Sequence, residues 1–323
     1  MAMTLRVAVI GVGSMGRNHA RVWAGMPGVE LVGVCDLNLE RAREVALAYG
    51  VSAYKDSIDM LQKVRPDAVS IAVPVDEHVP VVYEMPGGCR CHVLMEKPLS
   101  NCAFSCEYVI DWMRKADRVL AVGHIERYNP AMIELKRQID AGDLGEIYAI
   151  HCRRVGAFPA RQRDVGVTLD LAVHDLDLLR WLTGREGEVV GAAVRGGVRT
   201  EYDDSVSAVL RFGTISASVQ ADWLSVEKER TIRVVAERGV WRVDLTVPAL
   251  SADRPGRPDS PGCFWTLGEP DEPEPLALEL VEFAKVCRGE AADIVSGEDG
   301  LAAVRLAEQV LEVARERPCP VGA

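Results

Sequence analysis

Three glycines directly after an apolar segment are the feature that most limits how this chain can fold. The segment Leu5–Ile10 reads LRVAVI, and Gly11, Gly13 and Gly16 follow it. The first glycine permits a tight turn, the second lets the backbone approach a phosphate, and the third lets the next helix pack closely. The N-terminus of a helix also attracts phosphate charge. The start of the chain therefore predicts a strand, a phosphate-binding turn and a helix.

An acidic residue at the expected spacing indicates the ligand of this turn. Asp36 ends the second apolar segment, 20 residues after Gly16, where a carboxylate accepts a hydrogen bond from a ribose 2′-hydroxyl. The same carboxylate repels a 2′-phosphate, so the sequence predicts NAD; NADP is less favoured, although Arg41 and Arg43 leave it open. The expected cofactor contacts are Gly11, Gly13, Ser14, Met15, Gly16, Asp36, Pro74, His78, Glu96 and Lys97. For His78, a helix start or a surface position is the alternative.

Apolar segments alternate with amphipathic helical segments as far as Gly123, a pattern typical of βαβ units around a parallel sheet. The expected strands are residues 5–10, 30–35, 68–73, 92–95 and 119–122, with helices at 38–49 and 102–115. We therefore predict an α/β Rossmann domain over residues 1–123.

Beyond Gly123, strands follow one another with only turns between them. Residues 214–221 alternate in polarity, and residues 230–235 and 240–245 predict a hairpin across Arg238-Gly239. Residues 124–323 are thus expected to form an α+β domain with a large, mostly antiparallel sheet, which binds substrate and joins subunits into a homodimer or homotetramer. Helices are predicted at 276–286 and 297–315, with the last one packing back on the first domain, and the Pro-rich residues 248–275 are expected to form a surface loop.

Composition excludes several classes of protein. The 323 residues, 48% hydrophobic and 26% charged, suit two globular domains. Because no apolar run of about 18 residues is present, no membrane span is expected. The net charge of -11 argues against nucleic-acid binding. Nine cysteines without a signal segment indicate reduced thiols and a cytoplasmic protein.

Two segments carry candidate catalytic groups. Glu96-Lys97-Pro98 follows the fourth expected strand, and proline holds Lys97 extended at the ligand-binding edge of the sheet; an ordinary surface lysine is the alternative. Residues 168–184 predict a helix with Thr168 as N-cap and Gly184 as its end. Its spacing places Asp170, His174 and Asp177 on one face, where a carboxylate can orient a histidine that accepts a proton. A zinc site and a merely solvated helix are the alternatives.

Four arginines precede this helix in an otherwise acidic chain: Arg153, Arg154, Arg161 and Arg163. Guanidinium groups bind phosphate in a bidentate manner, so the cluster suggests a diphosphate-bearing substrate. A solvated strand edge explains the same charges equally well. The cysteines at 89, 91, 102 and 106 lack the usual spacing of zinc ligands, so no metal is expected.

The order of these motifs resembles the glucose-fructose oxidoreductase and inositol dehydrogenase (Gfo/Idh/MocA) family over nearly the whole chain. The matching pieces are residues 11–16, Asp36, residues 96–98, residues 123–130 (GHIERYNP) and residues 170–174. The resemblance implies that Lys97, Asp170 and His174 are catalytic. We also expect substrate contacts from Tyr128, Asn129, Asp177 and the four arginines.

Within that family, residues 123–130 and 164–170 look most like the members that oxidise C3 of UDP-N-acetylglucosamine. The resemblance thus implies hydride transfer from a secondary hydroxyl of a sugar nucleotide to the nicotinamide. Two other functions are left open: a dehydrogenase of inositol or a free sugar, and a dinucleotide-binding sensor without turnover.

Overall fold

The computed structural model describes residues 4–85, 91–158, 164–253, 263–266 and 273–316. The chain divides into two units. The first comprises Met1–His124 and Leu276–Leu301, and the second comprises Ile125–Pro275 and Ala302–Ala323. The first unit is therefore built from two separate stretches of sequence, with the second unit between them.

The first unit contains a six-stranded parallel sheet in the order β3-β2-β1-β4-β5-β6. Its strands are β1 Leu5–Ile10, β2 Val29–Cys35, β3 Ser52–Tyr54, β4 Ala68–Ile71, β5 His92–Glu96 and β6 Leu120–Gly123. The prediction of a parallel sheet is confirmed, with every expected strand within two residues of its expected ends. The short β3 lies at the sheet edge and was not expected, because three residues carry too little periodicity to detect.

The helices of the described residues have these bounds: α1 Ser14–Gly25, α2 Leu39–Tyr49, α3 Ser57–Val64, α4 His78–Tyr83, α5 Ala103–Lys115, α6 Pro130–Asp140, α7 Val173–Thr183, α8 Pro275–Cys287 and α9 Gly297–Glu316. Local signals explain their ends. Asn38 caps α2 by accepting a hydrogen bond from the Arg41 amide, and Gly50 ends it in the left-handed conformation with a φ of 68°. No helix of the described residues is long and apolar enough to cross a membrane.

Residues from the end of the chain complete the core of the first unit. Trp23 of α1 is fully buried and packs against Phe283 of α8, with ring centroids 6.4 Å apart. The Arg288 guanidinium, just after α8, donates to the Gly28 carbonyl at 2.7 Å. A Cβ at Gly297 would overlap Leu120, so the start of α9 lies close against β6.

The second unit contains an eight-stranded sheet in the order β14-β13-β12-β11-β7-β10-β9-β8. Its strands are β7 Ile147–Ala157, β8 Glu188–Gly196, β9 Asp203–Phe212, β10 Ile215–Asp222, β11 Leu224–Ala236, β12 Gly239–Asp244, β13 Ala249–Asp253 and β14 Cys263–Thr266. All neighbours are antiparallel except β7 and β10, which are parallel. The predicted mostly antiparallel sheet is confirmed.

Local patterns explain two parts of this sheet. Ile215, Ala217, Val219 and Ala221 are all buried, as the alternation along β10 predicts. The predicted hairpin is also present, with Ala236 paired to Gly239. The expectation of a loop over residues 248–275 is wrong at β13 and β14, because the prolines of this stretch flank both strands and leave their interiors free to pair. Its residues 254–262 and 267–272 lie outside the described part of the chain.

Candidate active site

The glycine-rich turn of the first unit joins β1 to α1. Gly11 has a φ of 82°, and a Cβ there would lie 2.6 Å from the Ala72 carbonyl oxygen. A Cβ at Gly16 would overlap the Gly11 carbonyl oxygen, whereas the position of a Cβ at Gly13 is open space. Two glycines therefore serve the turn itself, and the third leaves the N-terminus of α1 accessible. This arrangement fits the pyrophosphate of a dinucleotide.

Asp36 follows β2 with its carboxylate held in one orientation. Oδ2 accepts from the Val12 amide at 3.0 Å and Oδ1 from the Asn38 amide at 2.8 Å. The Arg41 guanidinium lies 3.3 Å from Oδ2. The carboxylate is thus tied to the glycine-rich turn on one side and to the start of α2 on the other. A fixed acceptor at this point suits the ribose hydroxyls of NAD.

His78 begins α4 and is buried, at 1% exposure. Its Nδ1 lies 3.2 Å from the Leu99 carbonyl oxygen, and its Nε2 lies 3.2 Å from that of Val73. The expected helix start is confirmed, and the surface position is wrong because the ring is buried between the segments that follow β4 and β5. His78 joins the segment after β4, which contains Pro74, to the segment after β5. A cofactor contact from His78 stays a prediction.

Glu96 ends β5 and carries the loop of Lys97. Its carboxylate lies 2.9 Å from His19 Nε2 and accepts from the Lys97 amide at 3.2 Å. Burial raises the pKa of Glu96, but the hydrogen bond from His19 and the charges of His19 and Lys97 outweigh it, so the pKa is lowered. The ionised carboxylate therefore connects α1, whose N-terminus is the glycine-rich turn, to the lysine loop. His19 was missed in the sequence, because nothing near it in the chain indicates a partner 77 residues away.

A second carboxyl group lies near this pair. Glu279 of α8 is 1% exposed, and neither of its oxygens has a hydrogen-bond partner in the described residues. Burial and the charge of Glu96 raise the pKa of Glu279 well above its ordinary value. The first unit therefore contains two interacting buried carboxyl groups: Glu96, which favours the ionised form, and Glu279, which favours the protonated form.

In the second unit, a π-helical turn over Thr168–Ala172 leads into α7. Thr168 is not the N-cap, because its amide and hydroxyl groups both donate to Asp203 of β9, at 2.7 and 2.5 Å. A Cβ at Gly166 would overlap the same Asp203 carboxylate. The cap is thus supplied by another strand. Gly184 ends α7 with a φ of 62°, as predicted.

Asp170 lies in the π turn and is buried, whereas His174 lies in the first turn of α7 and is partly exposed. Both flanking residues, Val173 and Asp175, are buried. His174 is therefore anchored by its neighbours and keeps access to solvent. The expected single face of Asp170, His174 and Asp177 assumed α-helical spacing, which the π turn interrupts between the first two.

Arg154 and Asp175 form a buried ion pair beneath α7. The Arg154 guanidinium donates to Asp175 Oδ1 from Nη2 at 2.9 Å and from Nε at 3.1 Å. It also donates to Glu126 Oε1 from Nη1 at 2.7 Å. Arg154 is 2% exposed, so it serves inside the protein instead of at a substrate surface. Burial raises the pKa of Asp175, and the charge of Arg154 opposes that rise.

Asp177 and Asn129, two other expected substrate residues, form hydrogen bonds within the protein. Arg127 forms a bidentate pair with the buried Asp177, at 2.8 and 2.5 Å. Asn129 caps α6 by accepting from the Ala131 amide at 3.1 Å. Tyr128, between them in sequence, is buried.

Arg153 lies on the opposite face of the sheet from Arg154, since neighbouring residues of a strand alternate between faces. Its Nε donates to Glu229 at 2.7 Å, and its Nη1 donates to Gln220. The two arginines therefore do not form one cluster.

The other predicted residues of these clusters are only partly described. Arg161, Arg163 and Cys89 lie outside the described residues. Within the described residues, Cys91, Cys102 and Cys106 are not joined in disulfides.

The comparisons with known proteins agree with this geometry. Residues 5–124 match the model of the oxidoreductase family with an NAD-binding Rossmann fold, and residues 132–242 match the Gfo/Idh/MocA C-terminal domain. The chain belongs to the Gfo/Idh/MocA oxidoreductase family. Like the relatives of that family, it is a dehydrogenase, and its first unit binds NAD.

Several relatives match nearly the whole chain. UDP-N-acetylglucosamine 3-dehydrogenase of Acidithiobacillus ferrooxidans is 32% identical over 96% of both chains. Its solved structure aligns with a TM-score of 0.85 over 97% of this chain and 99% of that one. Inositol 2-dehydrogenase 1 of Saccharopolyspora erythraea is 30% identical over 99% of this chain and 96% of its own. Levoglucosan dehydrogenase, solved with NADH and L-sorbose, shares the fold with a TM-score of 0.87 over 97% of each chain, at 20% identity.

Proposed function

We propose that this dehydrogenase oxidises a secondary hydroxyl group of a sugar nucleotide, C3 of UDP-N-acetylglucosamine. The observation that carries the proposal is the full-length similarity to the Acidithiobacillus enzyme of that name, in sequence and in fold. The resemblance of residues 123–130 and 164–170 to that group supports the same substrate.

Three side chains would carry the chemistry. NAD, when bound, supplies the acceptor for a hydride. His174 removes the proton of the reacting hydroxyl group, and its partial exposure lets that proton pass on to solvent. Asp170 orients the imidazole and stabilises its charge. Lys97 donates a hydrogen bond to the reacting oxygen and stabilises its developing negative charge.

The contacts in each unit support these roles separately. The Lys97 backbone amide is held by Glu96, which is itself held by His19. The start of the segment with Asp170 and His174 is capped by Asp203. Both candidate groups therefore stand on buried, hydrogen-bonded supports, as a preorganised active site requires.

A second candidate is oxidation of inositol, which the similarity to inositol 2-dehydrogenase 1 of Saccharopolyspora erythraea favours. The direct test measures NADH formation from NAD with UDP-N-acetylglucosamine and with myo-inositol. We expect kcat/KM to be at least about 100-fold higher for the sugar nucleotide, because a site that recognises a diphosphate gains charge-assisted hydrogen bonds that inositol lacks. A preference for myo-inositol would establish the second candidate instead.

The roles are tested with His174→Ala, for which we expect kcat to fall about 100- to 10,000-fold. NADH affinity, measured by fluorescence, should stay within about threefold, since the glycine-rich turn is untouched. The control is His151→Ala, an exposed histidine of β7 whose ring contacts Ser218. Turnover of His174→Ala near that of the control would refute the assignment, and tight NADH binding by wild type with no turnover of any sugar would indicate a sensor.

A further inference from the structure

Arg230 of β11 was not singled out in the sequence, and the structure places it in an unusual position. It lies directly opposite Arg154 of β7 in the antiparallel pairing. Residues directly opposite each other project to the same face of a sheet, so both arginines lie on the face of the Asp175 ion pair. Yet 36% of the Arg230 side chain is exposed, whereas only 2% of the Arg154 side chain is. Arg230 is thus the member of this pair that a ligand can reach.

Within the described residues, the N–H groups of the Arg230 guanidinium make no side-chain hydrogen bond. It forms an ion pair with Glu126, whose Oε1 lies 3.7 Å from Nη1, too far for a hydrogen bond. That oxygen already accepts from Arg154 at 2.7 Å. Within the described residues, no other acceptor lies within hydrogen-bond distance of Arg230. Since a guanidinium carries five N–H donors, most of its hydrogen-bonding capacity is left for solvent or a ligand.

The charge of Arg230 is poorly compensated where it lies. Burial and the like charge of Arg154 lower the pKa of Arg230, and the carboxylates of Glu126, Asp175 and Asp170 only partly oppose them. The group remains a cation at neutral pH, but it gains more from an added acceptor than the fully paired Arg154 does. One of these carboxylates, Asp170, is a candidate catalytic residue of the π turn, so the charge of Arg230 interacts with that segment.

We propose that Arg230 is a specificity-determining residue that binds anionic oxygens of the substrate, namely the diphosphate of the sugar nucleotide. The inference rests on the proposed function and assigns to Arg230 the role expected from the sequence for Arg154. A planar guanidinium donates two parallel hydrogen bonds to a phosphate, a geometry that an ammonium group lacks. Arg154 instead fixes the carboxylates on either side and leaves Arg230 available.

The experiment measures binding of UDP by calorimetry at saturating NAD, so that the dinucleotide site is filled. We expect Arg230→Gln to weaken UDP binding roughly 10- to 100-fold, because charge-assisted hydrogen bonds are lost. Arg230→Lys should weaken it less, about tenfold or below, since it keeps the charge but not the paired donors. The matched control is Arg233→Gln, on the same strand but the opposite, exposed face.

Kinetics with UDP-N-acetylglucosamine should show the same order in KM, with kcat within about threefold of wild type. If each variant unfolds at the same temperature as wild type, the weaker binding is not caused by misfolding. If Arg230→Gln is unstable, the affinity of Arg230→Lys tests the inference instead. Equal UDP affinity of wild type and both Arg230 variants would overturn the inference and leave the proposed function intact. Equal weakening of UDP and N-acetylglucosamine would overturn the anionic assignment. Failure of wild type to bind UDP would overturn the sugar-nucleotide function as well.

Discussion

The two units hold their functional residues in different ways. In the first, the glycine-rich turn and Asp36 lie within 26 residues of each other, and backbone amides fix the carboxylate. In the second, the ion pairs beneath α7 join Glu126, Arg154 and Asp175 from three separate segments. A site made of local backbone geometry can be read from a motif, whereas a site made of distant charges cannot.

The difference also has energetic consequences. A backbone turn tolerates no side chain at certain positions, but its polar groups are satisfied locally. A buried ion-pair cluster depends on every member, because removal of one charge leaves the others buried and uncompensated. The second unit should therefore be more sensitive to loss of one side chain, and the first to addition of one.

The largest expected effect is that of Arg154→Met. It would leave the carboxylates of Asp175 and Glu126 without their partner, at a cost of about 3 to 5 kcal/mol in the free energy of unfolding. The control is Arg153→Met, one residue earlier, whose side chain is 39% exposed and paired with Glu229; removal of such a surface pair costs about 1 kcal/mol or less. Urea unfolding measures both. Equal losses would show that the buried cluster does not stabilise the second unit.

A smaller loss is expected when a methyl group is added to the glycine-rich turn. Gly16→Ala would force the turn apart, because the new Cβ overlaps the Gly11 carbonyl oxygen, at a cost of about 3 kcal/mol. NADH affinity should fall with it. Gly13→Ala, where the Cβ meets open space, should keep the unfolding temperature near that of wild type while still obstructing the approach of a phosphate. Similar unfolding curves for the two variants would contradict this account of the turn.

The first unit also contains a buried charge-bearing group, Glu279, which makes its stability depend on pH. Burial and the charge of Glu96 raise the pKa of Glu279 above its ordinary value of 4.5. Above pH 4.5, the unfolded chain therefore releases a proton that the folded protein keeps. The free energy of unfolding therefore falls as pH rises from there through the raised pKa, by at most about 1.4 kcal/mol per pH unit.

Glu279→Gln removes this dependence, so its stability relative to wild type should increase between pH 5 and the raised pKa. Urea unfolding at several pH values measures the difference, with the exposed Glu290→Gln as the control. Parallel pH profiles for wild type and Glu279→Gln would show that Glu279 does not titrate in this range.

The smallest effect is expected at the cap of the candidate catalytic segment. Asp203→Ala removes the acceptor of the Thr168 amide and hydroxyl groups, which should cost about 1 kcal/mol. If the cap positions Asp170 and His174, kcat should fall more than KM rises. The control is Asp253→Ala at the end of β13, an exposed residue paired with Arg242. An unchanged kcat would limit the role of Asp203 to stability.

The sequence predicted most of the fold, because periodicity and turn residues are local. The strands of the first unit, the hairpin at Gly239 and the end of α7 at Gly184 are all present. The prediction failed where partners are distant. Thr168 was expected to cap the helix, but Asp203 of another strand accepts its hydrogen bonds. Arg154 was expected to bind phosphate, but it is buried and paired with Asp175. The alternation of β7 could have separated Arg153 from Arg154, and the same signal places Arg230 and Arg233 on opposite faces.

The first unit consists of two stretches of sequence that are separated by the second unit, and this affects its folding during translation. Translation releases residues 1–124 first, but the segment with Phe283, which covers Trp23, follows about 150 residues later. At ordinary elongation rates this interval is roughly 8 to 30 s. Throughout it, Trp23 has its hydrogen bond to Ser70 but lacks the packing of Phe283. The first unit therefore completes its packing only after residues 125–275 have been translated.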